Sequence, residues 1–70
     1  MDLLTIPLKA SSPTPLYRQL YSYLREEILT GRLASGDRLP SKRQLSGQLG
    51  ISQNTVIAAY EQLVEEGYLL

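Results

Sequence analysis

The tripeptide Gly50-Ile51-Ser52 constrains this chain more than any other segment. It separates two stretches of helical patterning, and three residues leave room only for a tight turn between them. Ser41, followed three residues on by Gln44, makes a capping box that opens the first of the two helices. Leu45 and Leu49 give that helix its apolar side, and Gly50 ends it. Ser52 caps the next helix, over residues 53–66. Val56, Ala59, Tyr60, Leu63 and Val64 recur there at the i, i+3, i+4, i+7, i+8 spacing of a core-facing stripe, and Gly67 closes it. In the turn itself Gly50 supplies a left-handed conformation, Ile51 plugs the space between the helices, and Ser52 satisfies a first-turn amide. A three-to-four-residue turn containing Gly is the signature of a helix-turn-helix. Protein-binding modules and plain antiparallel helical hairpins share this spacing, so the turn leaves both kinds of partner open.

Upstream, Leu4, Ile6 and Leu8 alternate with Thr5, Pro7 and Lys9, and Pro7 confines such a segment to an edge strand or an extended arm. Residues 10–15 are loop chemistry, which makes residues 1–14 an arm and residues 15–70 the domain. Thr14 is placed to cap a helix over residues 15–30 with Pro15 at its first position. Leu16, Leu20, Leu24 and Ile28 recur every fourth residue, Tyr17, Tyr21 and Tyr23 widen that stripe, and Gly31 stops the helix. Arg38-Leu39 reads as a very short strand before Pro40, and Tyr68-Leu69-Leu70 as the start of another. The expected core is Leu20, Leu24, Ile28, Leu45, Leu49, Val56, Tyr60 and Leu63.

Seventy residues give one small domain, and such a chain buries only about 60% of its unfolded surface. Its composition narrows what that domain does. Without cysteine there are no disulfides, thiolate metal sites or thiol nucleophiles, and without histidine the commonest general base and metal ligand are missing. No apolar run approaches the roughly 20 residues of a membrane span, and the start lacks the apolar core of a signal peptide. The expectation is a soluble, cytoplasmic module that is not an enzyme. Its formal net charge is zero, but the charges are segregated. All seven basic residues fall in residues 1–43, which carry +3, whereas residues 44–70 carry −3 from Glu61, Glu65 and Glu66. Solvated helix faces produce such a split, and so does a domain that turns one end towards a polyanion.

Several linked motifs decide between these. Leu16-Tyr17-Arg18-Gln19-Leu20, Ile28-Leu29-Thr30-Gly31-Arg32-Leu33, Gly36-Asp37-Arg38-Leu39-Pro40-Ser41-Lys42-Arg43, Asn54-Thr55-Val56, Ala59-Tyr60-Glu61-Gln62-Leu63 and Glu66-Gly67-Tyr68-Leu69 stand at mutual distances that resemble the winged-helix DNA-binding domain of GntR-family transcription regulators. The resemblance covers residues 15–70, and the opening Met1-Asp2-Leu3-Leu4 and the Ala59–Leu63 stretch look most like the MocR branch. It implies an all-α, mainly helical, three-helix winged helix-turn-helix whose wing is cut off after Tyr68-Leu69. It further implies a bacterial transcription regulator that binds duplex DNA as a homodimer. No cofactor is implied for this segment. In the MocR branch pyridoxal phosphate belongs to a C-terminal aminotransferase-like domain, through which a small-molecule effector acts.

The resemblance places residues 53–66 in the major groove as the recognition helix. Gln53, Asn54 and Ile57 share one edge near its N-terminus; Gln and Asn pair with adenine N6 and N7, and Ile touches a thymine methyl. Family members commonly carry Arg where Gln53 stands, and here the whole helix lacks a basic side chain. Thr55 and Ser52 are candidates for backbone contact. Lys42 and Arg43 sit in the first turn of the preceding helix, beside Ser41, where cations oppose the helix dipole and so mark a phosphate-binding position. Arg32 and Arg38 flank the connection as further candidates for phosphate contact. Glu61, Glu65 and Glu66 are expected at the far end, away from DNA. The tyrosines read as core or rim rather than a base-stacking platform. One module covers about 600–1,000 Å² of DNA, which makes a dimer on two half-sites the expected assembly. A protein-interaction winged helix, using the acidic third helix, is the alternative.

Overall fold

The computed structural model describes residues 6–33 and 39–69, so the expectations for Leu4, Arg38 and Leu70 lie outside the described residues. Among these residues there are three helices and no strand: α1 (Leu16–Leu29), α2 (Lys42–Leu49) and α3 (Gln53–Glu65). Among the described residues no helix is long and apolar enough to cross a membrane. The all-helical class read from the sequence holds.

The core forms where the stripes meet. α3 packs against both α1 and α2. Leu20 and Leu24 of α1, Leu45 of α2 and Val56, Ala59 and Leu63 of α3 are fully buried, and Ile6 and Tyr21 join them. Each large apolar side chain so enclosed contributes about 1.5–3 kcal/mol. Ile28, Leu49 and Tyr60, expected inside, pack on this cluster but are only half-buried. Val64 departs further: it is 49% exposed. Helical rotation of ~100° per residue carries it off the face that Leu63 centres. Leu29 is exposed beside Ile28 for the same reason.

The helix ends follow local chemistry. Ser41 accepts a hydrogen bond from the Gln44 amide (3.1 Å) while the Gln44 side chain accepts one from the Ser41 amide (3.1 Å), completing the capping box. Gly50 adopts φ 67°, ψ 34°, and the Ile51 amide turns back to the Ser46 carbonyl (3.1 Å). This is the left-handed closure that a residue without Cβ permits. After α3 the Gly67 amide donates to Val64 and the Tyr68 amide to Leu63. Tyr68 and Leu69 therefore wrap the end of α3 instead of starting a strand, because the last carbonyls of a helix need donors. Leu39 is half-buried and not in a strand.

The start of α1 differs from expectation. Pro15 stands at the N-cap, with no side-chain cap bond, and the helix begins at Leu16. The Thr14 amide instead donates to the Ser12 hydroxyl (3.2 Å), which holds Thr14 in a turn. Gln19 organises this end: its Nε2 donates to the Thr14 carbonyl (2.7 Å) and the Lys9 carbonyl (3.0 Å), and its Oε1 accepts from the Lys9 amide (2.8 Å). With its backbone held by α1, the arm delivers Ile6 to the core, leaves Leu8 half-buried and turns Pro7 outward, the alternation read from the sequence.

Candidate nucleic-acid interface

α2 enters from Pro40 and Ser41, and the capping box fixes its first turn. Lys42 and Arg43 occupy that turn with exposed side chains, and the turn itself holds no acidic residue. The Arg43 carbonyl accepts from the buried Ser46 hydroxyl (3.0 Å), so its backbone is anchored while its guanidinium faces solvent. Free amide dipoles and two cations concentrate positive potential at one helix end.

At the start of α3 the Ser52 hydroxyl accepts from the Thr55 amide (3.1 Å) and lies 2.8 Å from the Thr55 hydroxyl. Ser52 and Thr55 thus close their own helix turn, and Ser41 is likewise engaged in its cap. Gln53 and Asn54 are fully on the surface between them, and Ile57 is half-buried one turn on. Lys42 of α2 and Ile57 of α3 line one open cleft with Tyr60, Glu61, Val64 and Glu65. Lys42 at the α2 entry and Ile57 of α3 therefore share a face, whereas Gln53 and Asn54 do not line this cleft.

Two acidic residues break the sequence expectation. Glu61 and Glu65 border this same cleft instead of lying away from it, because α3 presents residues 57, 61 and 65 in one i, i+4 row. Glu66 does point elsewhere. Its carboxylate accepts from the Tyr21 hydroxyl and from Gln62 Nε2 (3.0 Å), and these bonds hold it below the usual carboxylate range. Arg32 pairs with the buried Glu27 at 3.3 Å, so the structure gives it an internal partner on α1.

One participant escaped the motif reading. The Tyr60 hydroxyl donates to the Pro40 carbonyl at 2.8 Å, joining α3 to the residue just before the α2 cap. Burial pushes its phenol up to about 12. A tyrosine at the edge of an apolar stripe signals a buried ring with a polar tip in need of a partner, but nothing local names that partner.

Comparison with known proteins agrees with this geometry. Residues 16–70 match the model of the bacterial regulatory proteins of the gntR family. The uncharacterized HTH-type transcriptional regulator YdeL of Bacillus subtilis is 57% identical over 56 residues, covering 80% of this chain and 12% of its own. The probable rhizopine catabolism regulatory protein MocR of Rhizobium meliloti is 48% identical over 62 residues, covering 89% of this chain and 13% of its own. The chain thus spans about an eighth of the length of these relatives. Among solved structures, YtrA from Sulfolobus acidocaldarius, a GntR-family transcription factor, superposes with a TM-score of 0.84 at 44% identity. That match covers 89% of this chain and 66% of YtrA. With the three helices, the glycine turn and the family pattern in agreement, the chain belongs to the GntR family and is a helix-turn-helix DNA-binding domain of the kind its transcriptional regulators carry.

Proposed function

We propose that the domain reads a specific duplex sequence with the N-terminal half of α3 in the major groove and the N-terminus of α2 on the flanking backbone. The observation that supports this is the cleft shared by Lys42 and Ile57, which puts a cation beside one residue of the proposed reading edge, with Glu61 and Glu65 lining the same cleft. Lys42 and Arg43 neutralise phosphates and supply affinity; Gln53, Asn54 and Ile57 meet base edges and supply sequence preference. Ser41, Ser52 and Thr55 position these side chains, and their hydroxyls retain lone pairs or protons for a phosphate oxygen or a bridging water.

A module this small needs a second copy on a second half-site, so the working unit is a homodimer in the bacterial cytoplasm. Dimerisation and effector sensing belong to portions outside these residues, in the MocR-like arrangement. Pyridoxal phosphate does not fit the residues described. Lys9 and Lys42 are both exposed, whereas a Schiff-base lysine needs a desolvated or cation-flanked site to lower its pKa. The test is a salt titration on a duplex selected from a random library. Affinity must fall steeply with salt, with a slope of about −0.9 per phosphate contact. Salt-independent binding overturns the proposal.

A further inference from the structure

Pro40 has no amide hydrogen, and its carbonyl belongs to the peptide that joins it to Ser41, the N-cap of α2. The Tyr60 hydroxyl reaches it across the α2–α3 packing, at 2.8 Å. On the other side of the same peptide, the Ser41 amide is held by Gln44 Oε1 at 3.1 Å. The peptide that launches α2 is thereby gripped from both sides, by α2 itself and by α3. Lys42 and Arg43 follow immediately, and Tyr60 lies two helical turns beyond Gln53 on the rigid body that carries the reading edge. We infer that Tyr60 is a positioning residue for DNA recognition: its hydroxyl sets the distance between the phosphate-binding turn of α2 and the base-reading edge of α3. This rests on the division of roles proposed above.

The chemistry makes the inference specific. The Tyr60 ring belongs to the packing, while its hydroxyl carries the link, and a Phe at this position keeps the first and removes the second. Without the bond the Pro40 carbonyl is left half-buried without a donor and seeks water, so the α2 entry shifts relative to α3. Base contacts and phosphate contacts then cannot both be made at full strength. A bound duplex keeps the base contacts that define its preference and gives up a backbone contact. Loss of a phosphate contact has a signature of its own, a shallower salt dependence, and here it arises without removal of any charge.

The experiment measures affinity against salt for the full chain and its variants on the library-selected duplex, with helicity and melting followed alongside. Tyr60→Phe is expected to weaken binding about threefold to tenfold, to lower the salt slope by up to about 0.9, and to leave the base preference unchanged. Incorporation of 4-aminophenylalanine at position 60, which keeps a donor at the ring tip, is expected to restore both. An unchanged slope in Tyr60→Phe, or a loss that the amino analogue does not reverse, overturns the inference. Arg43→Ala serves as the reference. If it lowers the slope while Tyr60→Phe does not, the positioning role fails alone; if Arg43→Ala also leaves the slope unchanged, the division of roles itself is wrong.

Discussion

The hydroxyl of Tyr21 on α1 donates to the carboxylate of Glu66 just past α3, linking residues 45 apart in sequence. Tyr21 is 4% exposed, so the bond starts inside the core and ends at its rim. The consequence is an acid-dependent contribution to stability. Glu66 titrates below its usual 4.5, chiefly through this bond, then through Gln62, with Arg25 adding a smaller attraction. A carboxyl whose folded pKa is depressed stabilises the fold above its unfolded pKa and loses that contribution as pH falls through the folded value. Tyr21→Phe should move the Glu66 titration, followed by NMR, back towards 4.5 and flatten the melting-temperature loss as pH falls below 4.5. A Glu66 titration unmoved by Tyr21→Phe would show that the bond has no such effect.

Arg43→Ala is expected to weaken binding about equally on all duplexes and to reduce the salt slope by roughly one. The side chain is exposed at the α2 N-terminus, where phosphate is the natural partner. Competition with a panel of single-base operator variants checks it. A loss confined to one base pair would make Arg43 a base reader.

Gln53→Ala should cost about 1–3 kcal/mol at a single base pair, with the salt slope unchanged, because a neutral amide contributes geometry and no counterion release. Gln53→Arg should steepen the slope by up to about 0.9 and shift preference towards guanine. Selection from a randomised library with each variant reports both. If Gln53→Ala selects the same sequence with the same affinity, readout falls on Asn54 and Ile57.

Two glycines of the helix-turn-helix should respond to alanine with opposite signs. Gly50 sits at φ 67°, and a Cβ there meets no atom within 4 Å, so the cost of Gly50→Ala is backbone strain alone, about 1–2 kcal/mol. Gly47 lies within α2 and is equally open, so Gly47→Ala should stabilise by roughly 0.5–1 kcal/mol through helix propensity. Urea unfolding of the two variants decides it, and a destabilised Gly47→Ala would point to a close approach at α2.

Much of this molecule was legible because its signals are local. Ser41 with Gln44, Ser52 with Thr55, and the glycines at 50 and 67 act within a few residues, and each stands where the pattern put it. The stripe residues Leu20, Leu24, Leu45, Val56 and Leu63 are buried because helical periodicity alone selects their face. Illegible were the pairings that depend on how helices meet. Nothing near Tyr21 names Glu66, and nothing near Tyr60 names Pro40. Thr14 looked like a cap because its local chemistry suits one, but Gln19 reached back and took its carbonyl. The interface residues read from the family pattern fall on the α2 entry and the start of α3, while the acidic row beside them became visible only once α2 and α3 were packed.

Ile6 lies ten residues before the point at which the family pattern begins, and it is 7% exposed in the same core that α3 fills. The folded body is therefore larger than the recognisable one. A cut at residue 16 removes a wall of the hydrophobic interior and leaves Gln19 with three hydrogen bonds to remake with water. From residues 6–14 the interior takes the aliphatic side chains of Ile6 and, at its rim, Leu8, and peptide groups at Lys9 and Thr14 within reach of a single amide. Backbone groups are common to every amino acid. Between Lys9 and Thr14 the segment can thus be rewritten widely and still seal the domain, a closure held there by main chain and indifferent to most of its own letters.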